Sequence, residues 1–318
     1  MSMRLARLFG LLAAANVAAW AWALLAFHDR PLLLGTALLA WSFGLRHAVD
    51  ADHIAAIDNA TRKLMQDGGQ QPLTVGLFFA LGHSTVVVLA AAAVATTAAL
   101  LASPLSQLKL VGTLGSALFL LAIAAVNLTT LVQLWRQPGE HDLGVLARLF
   151  RPLFRLVTRP WHMFPLGFLF GLGFDTATEV ALLGLSASQA TQGLSFVSVM
   201  VFPALFTAGM ALVDAADGAL MLRAYDWAFE QPMRKLFYNF TITLMSVVVA
   251  VLIAGIELLG LLNGRLGRSG RFWDTIGALN DNSSVLGFVV IGAFVAVWLG
   301  AVALWRYRGL DRVEAAND

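Results

Sequence analysis

The chain has 318 residues, of which 59% are hydrophobic and only 13% are charged. Soluble domains usually carry about 25% charged residues, so this balance predicts an integral membrane protein and excludes a soluble catalytic module. The formal net charge of +2 provides no basic surface for nucleic acid, and a sequence without cysteine excludes disulfides and thiolate metal ligands.

Eight segments are long and apolar enough to cross a bilayer as helices, since about 20 residues span its ~30 Å hydrocarbon core. They cover residues 8–27, 32–58, 74–102, 110–135, 163–188, 194–222, 236–262 and 285–305. The first is interpreted as a retained span, because its uncharged run exceeds the ~7–15 apolar residues of a signal peptide. No segment alternates like a membrane-barrel strand. We therefore predict one polytopic membrane domain over residues 1–318, an all-α bundle of eight transmembrane helices.

The basic residues are distributed unevenly between the two sides of this predicted bundle. Apart from Arg46, inside the second span, most lie on one side, and those on the other are Arg30, Lys109, Arg265, Arg268 and Arg271. Because cytoplasmic loops carry an excess of Lys and Arg, both termini are predicted to be cytoplasmic. The loop at 136–161 alternates arginine with leucine and phenylalanine, which indicates a basic amphipathic segment on the cytoplasmic leaflet.

The second span contains a dense group of ionisable residues, Arg46, His47, Asp50, Asp52 and His53. Such groups at membrane depth cost about 2.5–3.5 kcal/mol each and usually face a bundle interior or a water-filled path. Histidine and carboxylate are ligands of divalent transition metals. At 3.6 residues per turn, His47, Asp50 and His53 share one helix face and Asp52 does not. Either Asp52 meets another partner, such as Arg46, or the helix is broken at the site, as in other transporters.

The third and fifth spans carry further polar candidates. His83 and Ser84 lie in the third span, in the run Leu-Gly-His-Ser. In the fifth, Asp175 and Glu179 are four residues apart and flank Thr176, so both carboxylates stand on one helix face. Two like charges there favour a bound cation, a shared proton or a basic partner.

The sixth span places Met210, Asp214 and Asp217 on a helical stripe with spacing i, i+4, i+7. These residues approach the cytoplasmic end of the span, where Asp217 could also be interfacial. Asn127 and Asn239, in the fourth and seventh spans, are candidates for polar contacts between helices.

Four motifs, in order along the chain, resemble those of the nickel/cobalt transporter family, eight-span permeases of bacteria and fungi. They are H-x4-D-H at residues 47–53, Leu-Gly-His-Ser at 81–84, Leu-Gly-Phe-Asp-Thr-x-Thr-Glu at 172–179, and Gly-Met-x-Leu-x-Asp-x-x-Asp-Gly at 209–218. Ala215 stands where many members have threonine. The resemblance implies uptake of Ni²⁺, Co²⁺ or both across the bacterial cytoplasmic membrane, with the ion as substrate and no cofactor. A related efflux branch carries a histidine-rich loop, and no loop here holds more than one histidine, which favours import.

The resulting hypothesis is a secondary transporter that binds a divalent transition-metal ion between the second, third, fifth and sixth spans. The predicted ligands are His47, His53 and His83, with Asp50 or Asp52 supplying charge. The residues predicted to orient the ligands or to line the ion's path are Arg46, Ser84, Asp175, Thr176, Glu179, Met210, Asp214, Asp217, Asn127 and Asn239.

Alternative functions within transport are export, or permeation of another divalent ion such as Zn²⁺ or Mn²⁺. A remote alternative is an intramembrane metalloenzyme, but the H-E-x-x-H motif of a metalloprotease does not occur. The phosphate-binding pattern G-x-x-x-x-G-K-[ST] does not occur either, so the chain itself implies no ATPase.

Overall fold

The structure is a computed structural model that describes residues 2–68, 71–96, 113–122, 157–172, 177–229 and 232–308, together with residues 110, 124, 125, 127, 128, 131 and 132. The regular elements in these ranges are all helical: a short 3-10 helix covers Pro160–His162, and the others are α-helices. They are α1 (Ser2–Phe27), α2 (Pro31–His47), α3 (Ala51–Gly68), α4 (Val75–Thr96), α5 (Thr113–Ala122), α6 (Met163–Gly171), α7 (Ala177–Thr191), α8 (Phe196–Val199), α9 (Val201–Phe229), α10 (Pro232–Leu266), α11 (Arg271–Asp281) and α12 (Ser283–Arg308).

Helices are the expected response of an apolar chain to a bilayer, because each backbone N–H and C=O must be satisfied within its own segment. Four helical stretches in the described ranges have the length and apolarity of a membrane span, namely Met3–Phe27, Val75–Thr96, Phe196–Asp226 and Thr243–Leu266. Two bent helix pairs raise the number to six if each pair is one span. The chain is thus an all-helical, multi-pass membrane protein over its described part.

The helix predicted for the second span is interrupted at the site. Helices α2 and α3 meet at 51°. Between them the amides of Val49 and Asp50 donate to the carbonyls of Arg46 and His47 at 3.1 and 2.9 Å. These i to i+3 bonds tighten the chain into a turn and redirect its axis. The two halves of the motif therefore lie on different helices.

Several other predicted spans differ from one uninterrupted helix. The fifth, 163–188, corresponds to α6 and α7 on either side of 173–176, which lie outside the described residues. The eighth corresponds to α12. The axis of the preceding helix, α11, makes an angle of 75° with the axis of α12. Most of the fourth, 110–135, also lies outside the described part, apart from α5 and a few neighbouring residues.

Helix α4 lies at the centre of the bundle, against α6 and α9. A Cβ atom at Gly82 would overlap the backbone carbonyl of Phe164, and one at Gly167 would overlap that of Phe79. Glycine at both positions lets the backbones of α4 and α6 touch, which is how small residues promote helix association in lipid. This close contact holds the middle of α4 deep inside the protein.

Candidate metal centre

Three histidine side chains meet at the point where α2, α3 and α4 converge. His47 ends α2, His53 lies in the first turn of α3, and His83 lies midway along α4, with exposed fractions of 1%, 0% and 2%. Their ring centroids form a nearly equilateral triangle with sides of 4.7, 4.7 and 4.8 Å. One nitrogen from each ring lies within 4.8 Å of the other two. The packing of α4 against α2 and α3 thus brings together histidines that the sequence placed in two separate spans.

Two of the imidazoles are held by carboxylates. Nδ1 of His47 lies 3.0 Å from Oδ2 of Asp50, and Nδ1 of His53 lies 3.2 Å from Oδ1 of Asp214. A carboxylate accepts, so each Nδ1 carries the donated proton and each Nε2 presents a lone pair. Among the described residues, Nε2 of His53 has no hydrogen-bond partner. Carboxylate on one nitrogen and a free lone pair on the other is the arrangement of metal-binding histidines in proteins.

The third imidazole faces a different carboxylate. Nε2 of His83 lies 2.9 Å from Nε2 of His47 and 2.9 Å from Oε1 of Glu179. The same glutamate oxygen lies 3.8 Å from Nε2 of His47. Ligands about 2.1 Å from one ion lie at most about 4.2 Å apart, so a single ion could bind all three atoms. Glu179, predicted to line the path, is therefore placed as a further candidate ligand.

Helices α7 and α9 complete the site. Helix α7 begins near the histidines and contributes Glu179 and the hydroxyl of Thr178, 3.3 Å from Nδ1 of His47. Helix α9 contributes Asp214, whose backbone is so close to Gly76 that a Cβ there would overlap its carbonyl oxygen. Five helices, α2, α3, α4, α7 and α9, thus surround one point.

The structure also describes Asp52, Arg46, Ser84, Met210 and Asn127 among the predicted site residues. Asp52 lies half-buried in the first turn of α3, and Arg46 is exposed in the last turn of α2. Ser84 is buried beside His83 on α4, and Met210 is fully buried in the apolar core. Asn127 donates a hydrogen bond to Asn59 at 2.8 Å.

Three predicted residues lie wholly or partly outside the described part of the chain. Asp175 and Thr176 lie outside the described residues. Asn239 lies on α10, but its side chain is not part of the description. Asp217 is buried on α9, three residues beyond Asp214.

A second buried polar cluster escaped sequence analysis. Asp58, fully buried on α3, accepts hydrogen bonds from the hydroxyls of Tyr225 at 2.5 Å and Ser246 at 2.9 Å. Arg62, one turn later, is 3% exposed and donates to Thr243 at 2.6 Å. The predicted second span ends at residue 58, so Asp58 falls at its last position and Arg62 falls beyond it. Their position four residues apart on a continuing helix was the available signal.

The donor set is suited to a borderline divalent metal. Imidazole binds Ni²⁺, Zn²⁺ and Cu²⁺ well, and carboxylates supply charge without thiolate softness. Within the described residues, Asp50, Glu179 and Asp214 surround the three imidazoles. A dehydrated divalent cation would meet nitrogen ligands and compensating negative charge in one buried place.

Comparison with known proteins gives consistent results. Residues 33–304 match the family model NicO, described as high-affinity nickel-transport protein. The chain is 54% identical to a high-affinity nickel transport protein of Cupriavidus necator, over 96% of this chain and 93% of the relative. It is 55% identical to the hydrogenase nickel incorporation protein HupN of Bradyrhizobium diazoefficiens, over 94% and 83%. It is 41% identical to the cobalt transport protein NhlF of Rhodococcus rhodochrous, over 85% and 82%. No solved structure matches the chain.

Proposed function

The chain belongs to the NicO family of high-affinity nickel-transport proteins, and we propose that it imports Ni²⁺, Co²⁺ or both across the bacterial cytoplasmic membrane as a secondary transporter. It is a transport protein and not an enzyme, and the metal ion is its substrate. The observation that supports the site is the buried convergence of His47, His53 and His83. We propose Nε2 of His47 and of His53 as ligands, with Glu179 as a further donor. His83 is the third imidazole ligand, and its Nε2 releases the proton that it donates to Glu179 when the ion binds.

The carboxylates have separate roles in this proposal. Asp50 and Asp214 each hold the Nδ1 of one ligand histidine and so orient its Nε2 toward the ion. Glu179 supplies negative charge at the ion itself. Asp52, half-buried at the start of α3, contributes to the negative field through which a cation approaches.

The proposed topology has eight spans and cytoplasmic termini. The broken pair α2–α3 forms the second span, and α6 with α7 forms the fifth. The segment 136–161 lies on the cytoplasmic leaflet as a basic amphipathic loop. Discontinuous helices at the site are the usual means by which transporters expose ligands at membrane depth.

The first experiment compares histidine variants in proteoliposomes that contain the full chain. His53→Ala and His83→Ala each remove a ligand nitrogen, so uptake of radiolabelled Ni²⁺ at low concentration should fall at least about tenfold. His28→Ala is the matched control, because His28 is exposed in the turn between α1 and α2, 2.8 Å from Asp29. Its uptake should equal that of the unaltered protein.

The same vesicles test the alternatives. Zn²⁺ and Mn²⁺ are offered as competitors, and efflux from Ni²⁺-loaded vesicles is compared with influx. Import of Ni²⁺ or Co²⁺ that outcompetes both other ions supports the proposal. Near-normal uptake by both site variants would exclude these histidines as ligands. Efflux that exceeds influx would show that the protein exports the metal ion.

A further inference from the structure

Asp217 on α9 is a buried carboxylate with no described partner. Its exposed fraction is 6%, and neither carboxylate oxygen accepts a hydrogen bond from the residues that the structure describes. A buried carboxylate without hydrogen bonds is strongly destabilised in its charged form, so it is either protonated or compensated by a cation. This side chain lies outside the three-histidine group, so the metal centre described above does not account for it.

Two further carboxylates lie near Asp217. Asp214 is three residues earlier on α9, and Asp58 accepts a hydrogen bond from Tyr225 of the same helix. The nearby cation in the described part is Arg62, which interacts with Asp58. Its guanidinium donates to Thr243 at 2.6 Å and to Asn59 at 3.2 Å, and not to Asp217. With these four groups ionised, the cluster carries two net negative charges, which one divalent cation would neutralise.

The position of the cluster relates it to the path of the ion. Along α9, Asp217 lies about 4.5 Å beyond Asp214, the partner of His53, at 1.5 Å per residue. Along α3, Asp58 lies about 7.5 Å beyond His53. On both helices the displacement is toward basic residues, Arg62 and Arg223, which the proposed topology places at the cytoplasmic side. The cluster is therefore the next polar position inward from the histidines.

We propose that Asp217 and Asp58 form a second, oxygen-only position for the transported divalent cation, on the cytoplasmic side of the three-histidine site. The proposal rests on the proposed function and assigns the step that follows histidine binding. Carboxylate oxygens hold Ni²⁺ more weakly than imidazoles do, and they suit harder ions such as Mn²⁺. Asp214, in contact with His53, lies between the two positions. The ion would thus move from a selective nitrogen site to a weaker site from which it is released.

The test is equilibrium metal binding to the purified full chain in nanodiscs of neutral lipid. Unaltered protein should bind two Ni²⁺ ions per chain, and Asp217→Asn should bind one with the tighter affinity retained. Asp274→Asn is the matched control, since Asp274 is exposed in the first turn of α11, and it should bind two. One ion per chain in the unaltered protein, or two in Asp217→Asn, would overturn the proposal.

A second measurement uses Mn²⁺ alone, detected by electron paramagnetic resonance. It measures binding at the Asp217 and Asp58 position independently of the three histidines. The signal of immobilised Mn²⁺ should persist in His83→Ala, and its affinity should fall at least tenfold in Asp217→Asn. Loss of this signal in His83→Ala, or its persistence in Asp217→Asn, would show that Asp217 does not bind the ion. Failure of the proposed function is a separate result, because it would appear as absent Ni²⁺ uptake whatever the Mn²⁺ signal.

Discussion

At the scale of single residues, the proposed site depends on which nitrogen of each imidazole is held by a carboxylate. The sequence predicted that His47, Asp50 and His53 share a face, and the structure places Asp50 on Nδ1 of His47. The partner of His53 was not predictable in the same way. Asp214 is 161 residues away along the chain, and only the packing of α9 against α3 brings the two together.

A comparison of two isosteric changes separates an orienting carboxylate from a candidate ligand. Asp50→Asn keeps an acceptor beside Nδ1 of His47 but weakens its hold, so the dissociation constant for Ni²⁺ should rise about 10–100-fold. Glu179→Gln removes the charged oxygen 2.9 Å from Nε2 of His83, so the loss should be larger. Equilibrium binding of radiolabelled Ni²⁺ to purified protein measures both. A larger effect from Asp50→Asn would reverse the two assigned roles.

At the scale of helices, the central feature is the break between α2 and α3. Composition and apolar length predicted one span over 32–58, and nothing in the run from His47 to Asp50 is a proline or glycine that would signal a kink. At the break, two backbone hydrogen bonds join residues three apart, Val49 to Arg46 and Asp50 to His47, in place of the bonds between residues four apart that an α-helix makes. Tertiary packing supports this turn, since a Cβ at Gly287 of α12 would overlap the carbonyl of Val49. Contacts of this kind cannot be inferred from local sequence.

Helix spacing yields a prediction that alters no ligand. Gly82→Ala would place a methyl group against the carbonyl of Phe164 and force α4 away from α6, carrying His83 with it. Overpacking of this type costs about 1–3 kcal/mol, and uptake of Ni²⁺ should fall at least about tenfold. Thermal denaturation and proteoliposome uptake measure the two effects. Gly10→Ala is the control, since nothing lies within 4 Å of a Cβ at that position.

Unchanged uptake in Gly82→Ala would mean that α4 tolerates displacement from α6 and that His83 keeps its place by other contacts. A fall in Gly10→Ala would instead indicate a general sensitivity of the bundle to added methyl groups.

At the scale of the whole molecule, composition alone predicted the class of protein correctly. Low charge and long apolar runs lead to an all-helical membrane protein, because only helices satisfy the backbone of such runs in lipid. The family was also predicted from four motifs and is confirmed by the match over 33–304.

The number of spans stays a prediction, as the described part contains four candidates, or six with the bent pairs. A bend can divide one apolar run into two helices, as at α2 and α3, so apolar length alone does not determine how many times the chain crosses.

The absence of cysteine from the sequence makes the eight-span topology directly testable. Asp29→Cys lies in the exposed turn between α1 and α2, and Gln192→Cys in the turn after α7. Both should react with a membrane-impermeant maleimide in intact cells, because the proposed topology places these turns outside. Thr158→Cys, exposed just before α6, should react only after permeabilisation, because the basic loop 136–161 is attracted to the cytoplasmic leaflet.

Ni²⁺ uptake by each variant verifies its fold. Labelling of Thr158→Cys in intact cells would invert the orientation, and the carboxylate position would then lie outward from the histidines.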